Sequence, residues 1–196
     1  MGNIKIRAIS NSSTLISFYR TEKFYPLLKV LFEHIIIPRD CWDEMITNSE
    51  EDYKFADRRR MLNDKDIFLK IIKPENEERE ICEELMKIAS GRNIPLHKPE
   101  ALAISMALNM GEHLVILTED KAALEIIKKH DDLTGFNASK VFQELVKNLD
   151  LFFTGIEELN KFLDEFEEES KTKFSEKSRS EIITVWKKEQ EDLRVD

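Results

Sequence analysis

A chain of 196 residues with 41% hydrophobic content has the material for one cored domain with appendages, which sets aside a disordered chain and two full domains. Its net charge of −9 sets aside binding to nucleic acid by overall phosphate neutralisation, so such contact must come from a local patch; the acidic balance suits a cation site or a basic protein partner. Charged residues reach 35% against roughly 25% in ordinary globular chains, and the Lys and Glu excess points either to a thermophile, archaeal-like composition or to long exposed helices.

Along the chain, Ile4, Ile6 and Ala8 alternate with Lys5 and Arg7, and Ile9 closes the run, so residues 4–9 read as a strand. Ser10-Asn11-Ser12-Ser13 is a turn and cap cluster ahead of a helix over Thr14–Arg20, and a second helix over about 24–32 carries Leu27, Leu28, Leu31 and Phe32. His34-Ile35-Ile36-Ile37 is a short apolar strand, followed by Pro38 at a helix start with Asp40, Asp43 and Glu44 in its early turns. Residues 50–64 read as a charged helix, and Ile67 to Ile72 as a short strand or apolar link. Within the charged helix, Arg58-Arg59-Arg60 with Lys54 is the one local basic patch for RNA, although consecutive residues point to different helix faces and favour a solvated surface.

Pro74 with Glu75, Glu77 and Glu78 opens a helix whose predicted buried stripe is Ile81, Leu85, Ile88 and Ala89, ending at Gly91. Residues 99–110 give a helix with Ala101, Ile104, Ser105 and Leu108 on one face. His113 to Leu117 is an apolar strand, the next helix is striped by Ala122, Ala123, Ile126 and Ile127, and Phe136 to Val146 is expected as one more helix. After Leu151 the composition shifts. Thr154-Gly155-Ile156-Glu157 and Ser178-Arg179-Ser180-Glu181 fit capping boxes ahead of two amphipathic helices. Their stripes are Ile156, Leu159, Phe162, Leu163 and Phe166, then Ile182, Ile183, Trp186 and Leu193, to be buried within the monomer or in a homodimer. The expected division is a domain over 1–150 and a helical extension over 151–196.

Strands separated by helices predict an α/β fold of three layers, a mostly parallel central sheet of four or five strands with helices on both faces. The apolar runs are far shorter than the ~20 residues that span a bilayer. Cys41 and Cys82 lack metal-ligand spacing and read as buried thiols, and with no signal-peptide pattern the expected location is cytoplasmic. The four histidines lack ligand spacing, and Trp42 and Trp186 read as packing residues.

In parallel sheets functional groups gather beyond the carboxyl ends of the strands. Asn11 follows the first strand, Thr118-Glu119-Asp120 follows the strand ending at Leu117, Glu44 lies one turn into a helix, and Glu100 opens another. Carboxylates packed together repel unless a divalent cation neutralises them.

These segments resemble a known family. Ala8-Ile9-Ser10-Asn11-Ser12-Ser13-Thr14-Leu15-Ile16 is similar to the opening motif of PIN domains, and Leu27 through Ile36-Ile37-Pro38 to Glu44 resembles the block ending in the family's second acid. Glu100-Ala101-Leu102-Ala103-Ile104 and Leu117-Thr118-Glu119-Asp120 resemble the third and fourth blocks, in family order over about residues 4–145. The resemblance implies a ribonuclease dependent on Mg²⁺ or Mn²⁺, often the toxin of a toxin–antitoxin pair and thus a partner of an antitoxin protein. It implies catalytic and metal-binding roles for Asn11, Glu44, Glu100 and Asp120, with Glu119 sharing the role of Asp120 and Ser12 or Thr118 supporting by hydrogen bonds. Asn11 is a neutral amide where many family members place a carboxylate, and residues 45–98 and 150–196 exceed a minimal PIN domain. A catalytically silent module that binds RNA or a protein is the alternative.

Overall fold

Four of the sheet's five strands are rich in aliphatic residues, because parallel strands covered on both faces have no side to leave in water; the fifth is Thr-Gly-Phe. A computed structural model describes residues 6–47, 53–111, 113–148 and 153–192. The strands are β1 (Ile6–Ser10), β2 (Phe32–Pro38), β3 (Leu69–Ile72), β4 (Val115–Leu117) and β5 (Thr134–Phe136), all parallel, in the order β3-β2-β1-β4-β5. The strands expected over 4–9 and 113–117 are both interior to the sheet, although residues 4 and 5 lie outside the described residues.

Helices α1 (Ser12–Tyr19), α2 (Tyr25–Leu31), α3 (Arg39–Thr47), α4 (Tyr53–Asp64), α5 (Asn76–Gly91), α6 (Lys98–Met110), α7 (Lys121–Ile127), α8 (Ala138–Asn148), α9 (Ile156–Ser170) and α10 (Glu176–Asp192) complete the chain. The two faces of the sheet have separate cores. Ala8, Ile35 and Ile37 face a core with α1, α2, α8, α9 and α10, while Ile9, Ile36 and Ile116 face one built with α5, α6 and α7. This is the three-layer α/β architecture.

Several local expectations differ from the structure. Phe136 closes β5 instead of opening a helix, and Gly135 before it admits helix α7, since a Cβ there would stand 2.7 Å from Leu124 Cδ2. Pro38 pairs with Ile72 as the last residue of β2, so the helix begins at Arg39. On α5 the buried line is Glu78, Cys82, Leu85 and Ala89, and Ile88 is 46% exposed. Glu78 tolerates burial because it accepts the Glu75 N–H at 2.7 Å in a capping box. Residues 101–107 of α6 are buried all round, not on one face, because the helix is enclosed by the sheet and its neighbours.

At the carboxyl-terminal helices, Thr154 N–H and hydroxyl donate to Glu158, one residue beyond the expected Glu157. Ser175, not Ser178, caps α10 by accepting the Ser178 N–H at 3.1 Å. Most of the apolar stripe is covered within one chain: Leu159, Leu163, Phe166 and Ile182 are fully buried, Trp186 nearly so, and Phe162 and Ile183 partly, whereas Ile156 in the first turn of α9 is exposed and Leu193 lies outside the described residues. Phe166 is the centre of an aromatic cluster, with ring centroids 5.0 Å from Phe18, 5.1 Å from Phe24 and 4.7 Å from Phe142. Helix α9 is therefore part of the core that seats α1. Phe166→Ala should lower unfolding stability by about 3–5 kcal/mol, read from urea denaturation; a loss under about 1 kcal/mol would mean the cluster collapses to fill the space.

Candidate functional site

The strand order reverses between β1 and β4, which marks the carboxyl ends of these strands as the crevice position of an open α/β sheet. Ser10 pairs with Leu117, so the residues that follow, Asn11 and Thr118, are brought side by side. Both are buried, at 1% exposure each. A buried amide must satisfy its hydrogen bonds. Asn11 Nδ2 donates to Glu100 Oε1 at 2.8 Å and to Thr118 Oγ1 at 3.2 Å, while Asn11 Oδ1 accepts from Ser13 Oγ at 3.3 Å. Thr118 Oγ1 also accepts the Asp120 N–H at 3.1 Å. Asn11, Glu100 and Thr118 thus form one connected group, with Asp120 tied in through its backbone.

The two acids after Thr118 are held differently. Asp120 is the N-cap of α7, with Oδ1 accepting the Ala123 N–H at 2.7 Å, and its second oxygen is not used in the cap. Glu119 Oε1 accepts from Thr14 Oγ1 at 3.2 Å and from the Ala138 N–H at 2.7 Å, which binds the ends of α1 and α8 to β4. Burial raises the Glu119 carboxyl above its ordinary 4.5, against the opposing pull of those two donors.

Glu44 is exposed on α3 and lines a cavity of about 240 Å³ with Asp40, Cys41, Lys98, Pro99 and Leu102, beside the start of α6 that carries Glu100. Burial pushes the Cys41 thiol up to about 12, and the charges of Glu44 and Glu100 act in the same direction. Cys41 and Cys82 are free and buried, as their sequence context suggests. The side chain of Ser12 lies outside the described residues.

The motif-guided reading passes over three residues that the geometry brings in: Ser13, Thr14 and Ala138. Ser13 and Thr14 sit inside the opening motif, so their hydroxyls were available as a signal. The Ala138 N–H belongs to a helix start hidden by the unrecognised β5. The basic patch is partly spent on the fold. Arg60 donates to the carbonyls of Tyr19 and Arg20 at 2.9 Å each, Arg59 is exposed, and the Lys54 side chain lies outside the described residues.

A family model described as a PIN domain matches residues 7–188. The chain belongs to the PIN-domain family. The match runs through α9 and into α10, so most of the carboxyl-terminal helices fall within this PIN domain's matched span. No curated protein and no solved structure matches the chain significantly. PIN domains are of nuclease type and generally depend on a divalent metal.

Whether this PIN domain's residues fit such a metal is a question of oxygens. Among the described residues, no three His, Cys, Asp or Glu side chains form a group that holds a metal ion. Asp120 Oδ1 is engaged by α7, Glu119 Oε1 is engaged by α1 and α8, and Asn11 contributes a neutral amide in place of a carboxylate to the group with Glu100. Glu100 Oε2, however, is buried and has no hydrogen-bond partner. An uncompensated buried carboxylate oxygen is destabilising, and a hard cation relieves it. Glu100 Oε2 and the Asp120 oxygen outside the cap are oxygen donors of the kind that suits Mg²⁺ or Mn²⁺, while Asn11 presents its NH₂ group to Glu100 in this structure. The residues fit a hard cation at Glu100.

The pH dependence of stability reports on Glu119. The fold holds its proton more tightly than the unfolded chain does, so its contribution is full below the ordinary carboxylate pKa. That contribution is lost as pH rises through the raised folded value. Urea unfolding of wild type and Glu119→Gln between about pH 4 and 7 should therefore show a decline with pH in wild type that the variant lacks. Parallel pH profiles would show that Glu119 titrates as it does in the unfolded chain.

Proposed function

We propose that this PIN domain is a cytoplasmic, metal-dependent endoribonuclease, and that it serves as the toxin of a toxin–antitoxin pair. The observation that carries the reading is the convergence of Asn11, Glu100 and Thr118 at the switch point of a PIN-family sheet, with a buried carboxylate oxygen left unpaired. Glu100 and Asp120 would hold the divalent cation, with Asn11 and Glu44 completing or extending its shell and Glu119 fixing the elements around it. The cation, when bound, supplies positive charge that polarises a scissile phosphate and acidifies a water. Thr118 orients the Asn11 amide and the start of the Asp120 segment, so that a single hydroxyl positions two site residues.

The exposed Glu44 and the cavity beside α6 leave a route for a single-stranded substrate past Lys98, which lines that cavity together with Asp40 and Glu44. A second reading, a silent module that binds RNA or a protein, is favoured by the neutral residue at position 11. Affinity for a hard cation follows the count of charged ligands. The preference for Mn²⁺ over Mg²⁺ follows from the same neutral amide, since Mn²⁺ binds mixed donor sets more tightly.

Incubation with single-stranded RNA in Mn²⁺ should give internal cleavage that EDTA abolishes, with less in Mg²⁺. Glu100→Gln and Asp120→Asn should each reduce the rate at least about 100-fold. RNA that is bound but never cut in either metal would favour the silent module.

A further inference from the structure

The orientation of the Asn11 amide is decided by one neighbour. Its partners are two hydroxyls and a carboxylate, Ser13 Oγ, Thr118 Oγ1 and Glu100 Oε1. A hydroxyl donates or accepts, so either serine or threonine partner tolerates either end of the amide. An ionised carboxylate only accepts, so Glu100 requires the NH₂ end. Ser13 Oγ already accepts the Glu119 N–H at 3.4 Å and has a second lone pair for an incoming N–H. Thr118 Oγ1 accepts from both Asn11 Nδ2 and the Asp120 N–H, and its own proton is free to donate to an amide oxygen.

We infer that Asn11 is a reversible positioning residue: without metal its NH₂ group compensates Glu100, and cation binding at Glu100 inverts the amide so that Oδ1 faces the cation. The inference rests on the metal-site reading above. The partial positive charge of the amide does part of the work of the cation in the metal-free protein, which an aspartate at this position does the opposite of. After inversion, Thr118 donates to the amide oxygen and Ser13 accepts from the amide nitrogen, so no buried polar group is orphaned in either state. Glu100 Oε2 loses its isolation only in the metal-bound state.

The test uses the full chain and Mg²⁺ alone, read by nuclear magnetic resonance and calorimetry instead of cleavage. The Asn11 side-chain NH₂ pair, assigned in the wild-type spectrum through its own β and backbone protons, should carry one proton shifted downfield by the carboxylate. That proton should move back upfield as Mg²⁺ saturates. Asn11→Asp should bind Mg²⁺ about tenfold or more tightly than wild type, because a charged ligand replaces a neutral one. In EDTA at neutral pH the same variant should melt at a lower temperature than wild type, because a carboxylate then faces Glu100.

Mg²⁺ binding that leaves the Asn11 pair unmoved overturns the inversion while the metal-site reading stands. Equal affinities in the two proteins, or an Asn11→Asp protein no less stable in EDTA, overturn it as well. No binding by either protein overturns both the inversion and the metal site. The amide signal is read on the wild-type protein, so the test holds even where the variant folds poorly.

Discussion

The parallel pairing of β1 with β4 is the constraint from which the site follows. Residues Ala8, Ile9 and Ser10 stand against Val115, Ile116 and Leu117, and the chain leaves both strands at the same level. A slip of one residue would move Ile9 and Ile116 from one core to the other, and both are buried. Two separate apolar cores therefore lock the register that places Asn11 beside Thr118. The polar group at the crevice is accurate because hydrophobic burial beneath it is unforgiving.

Above that register, the helices supply backbone donors and carboxylates at their starts. Asp120 caps α7, Glu119 reaches the first N–H of α8, and Glu100 lies in the first turn of α6. Negative charge is stabilised at helix N-termini, which offsets part of the repulsion among neighbouring carboxylates without a metal. The offset is local, and it leaves Glu100 Oε2 without a donor. The polar layer is thus balanced for Glu119 and incompletely balanced for Glu100.

The layer order, the parallel sheet and the group around Asn11 and Glu100 were legible in the sequence, because apolar period and family-ordered motifs point to the same places. β5 was not, since three residues with a central glycine carry no strand signal, and Gly135 is there to admit the side chains of Leu124 and Ile127. The buried line of α5 was misjudged by a fraction of a turn: Ile81 and Ile88 look like a stripe, but Glu78 is admitted to the buried face by its capping bonds. The division of labour between Glu119 and Asp120 was also beyond reach. It depends on the Ala138 N–H, nineteen residues away in sequence, and on the Thr14 hydroxyl. Hydrophobic pattern is local and periodic, whereas the partner of a polar atom is a tertiary fact.

The charge balance adds a last constraint on how an anionic polymer would meet this protein. Much of the positive charge is already engaged within the fold. Arg79 forms a two-pronged pair with Asp40 at 3.0 and 3.2 Å, Lys29 is paired with Asp64 at 2.6 Å, and Arg179 meets Asp164 and Glu167. Arg60 is held on backbone carbonyls. In the cavity beside α6, Lys98 shares the lining with Asp40 and Glu44. With a net charge of −9 the overall field repels phosphate, salt at physiological strength screens that repulsion beyond about 8 Å, and inside that distance the local charges decide the encounter. A divalent cation at Glu100 would be the most concentrated positive charge there, because it carries two charges where a lysine carries one. Under the proposed ribonuclease function, metal binding and RNA binding would therefore be one event, with the phosphate drawn in by the same charge that relieves Glu100.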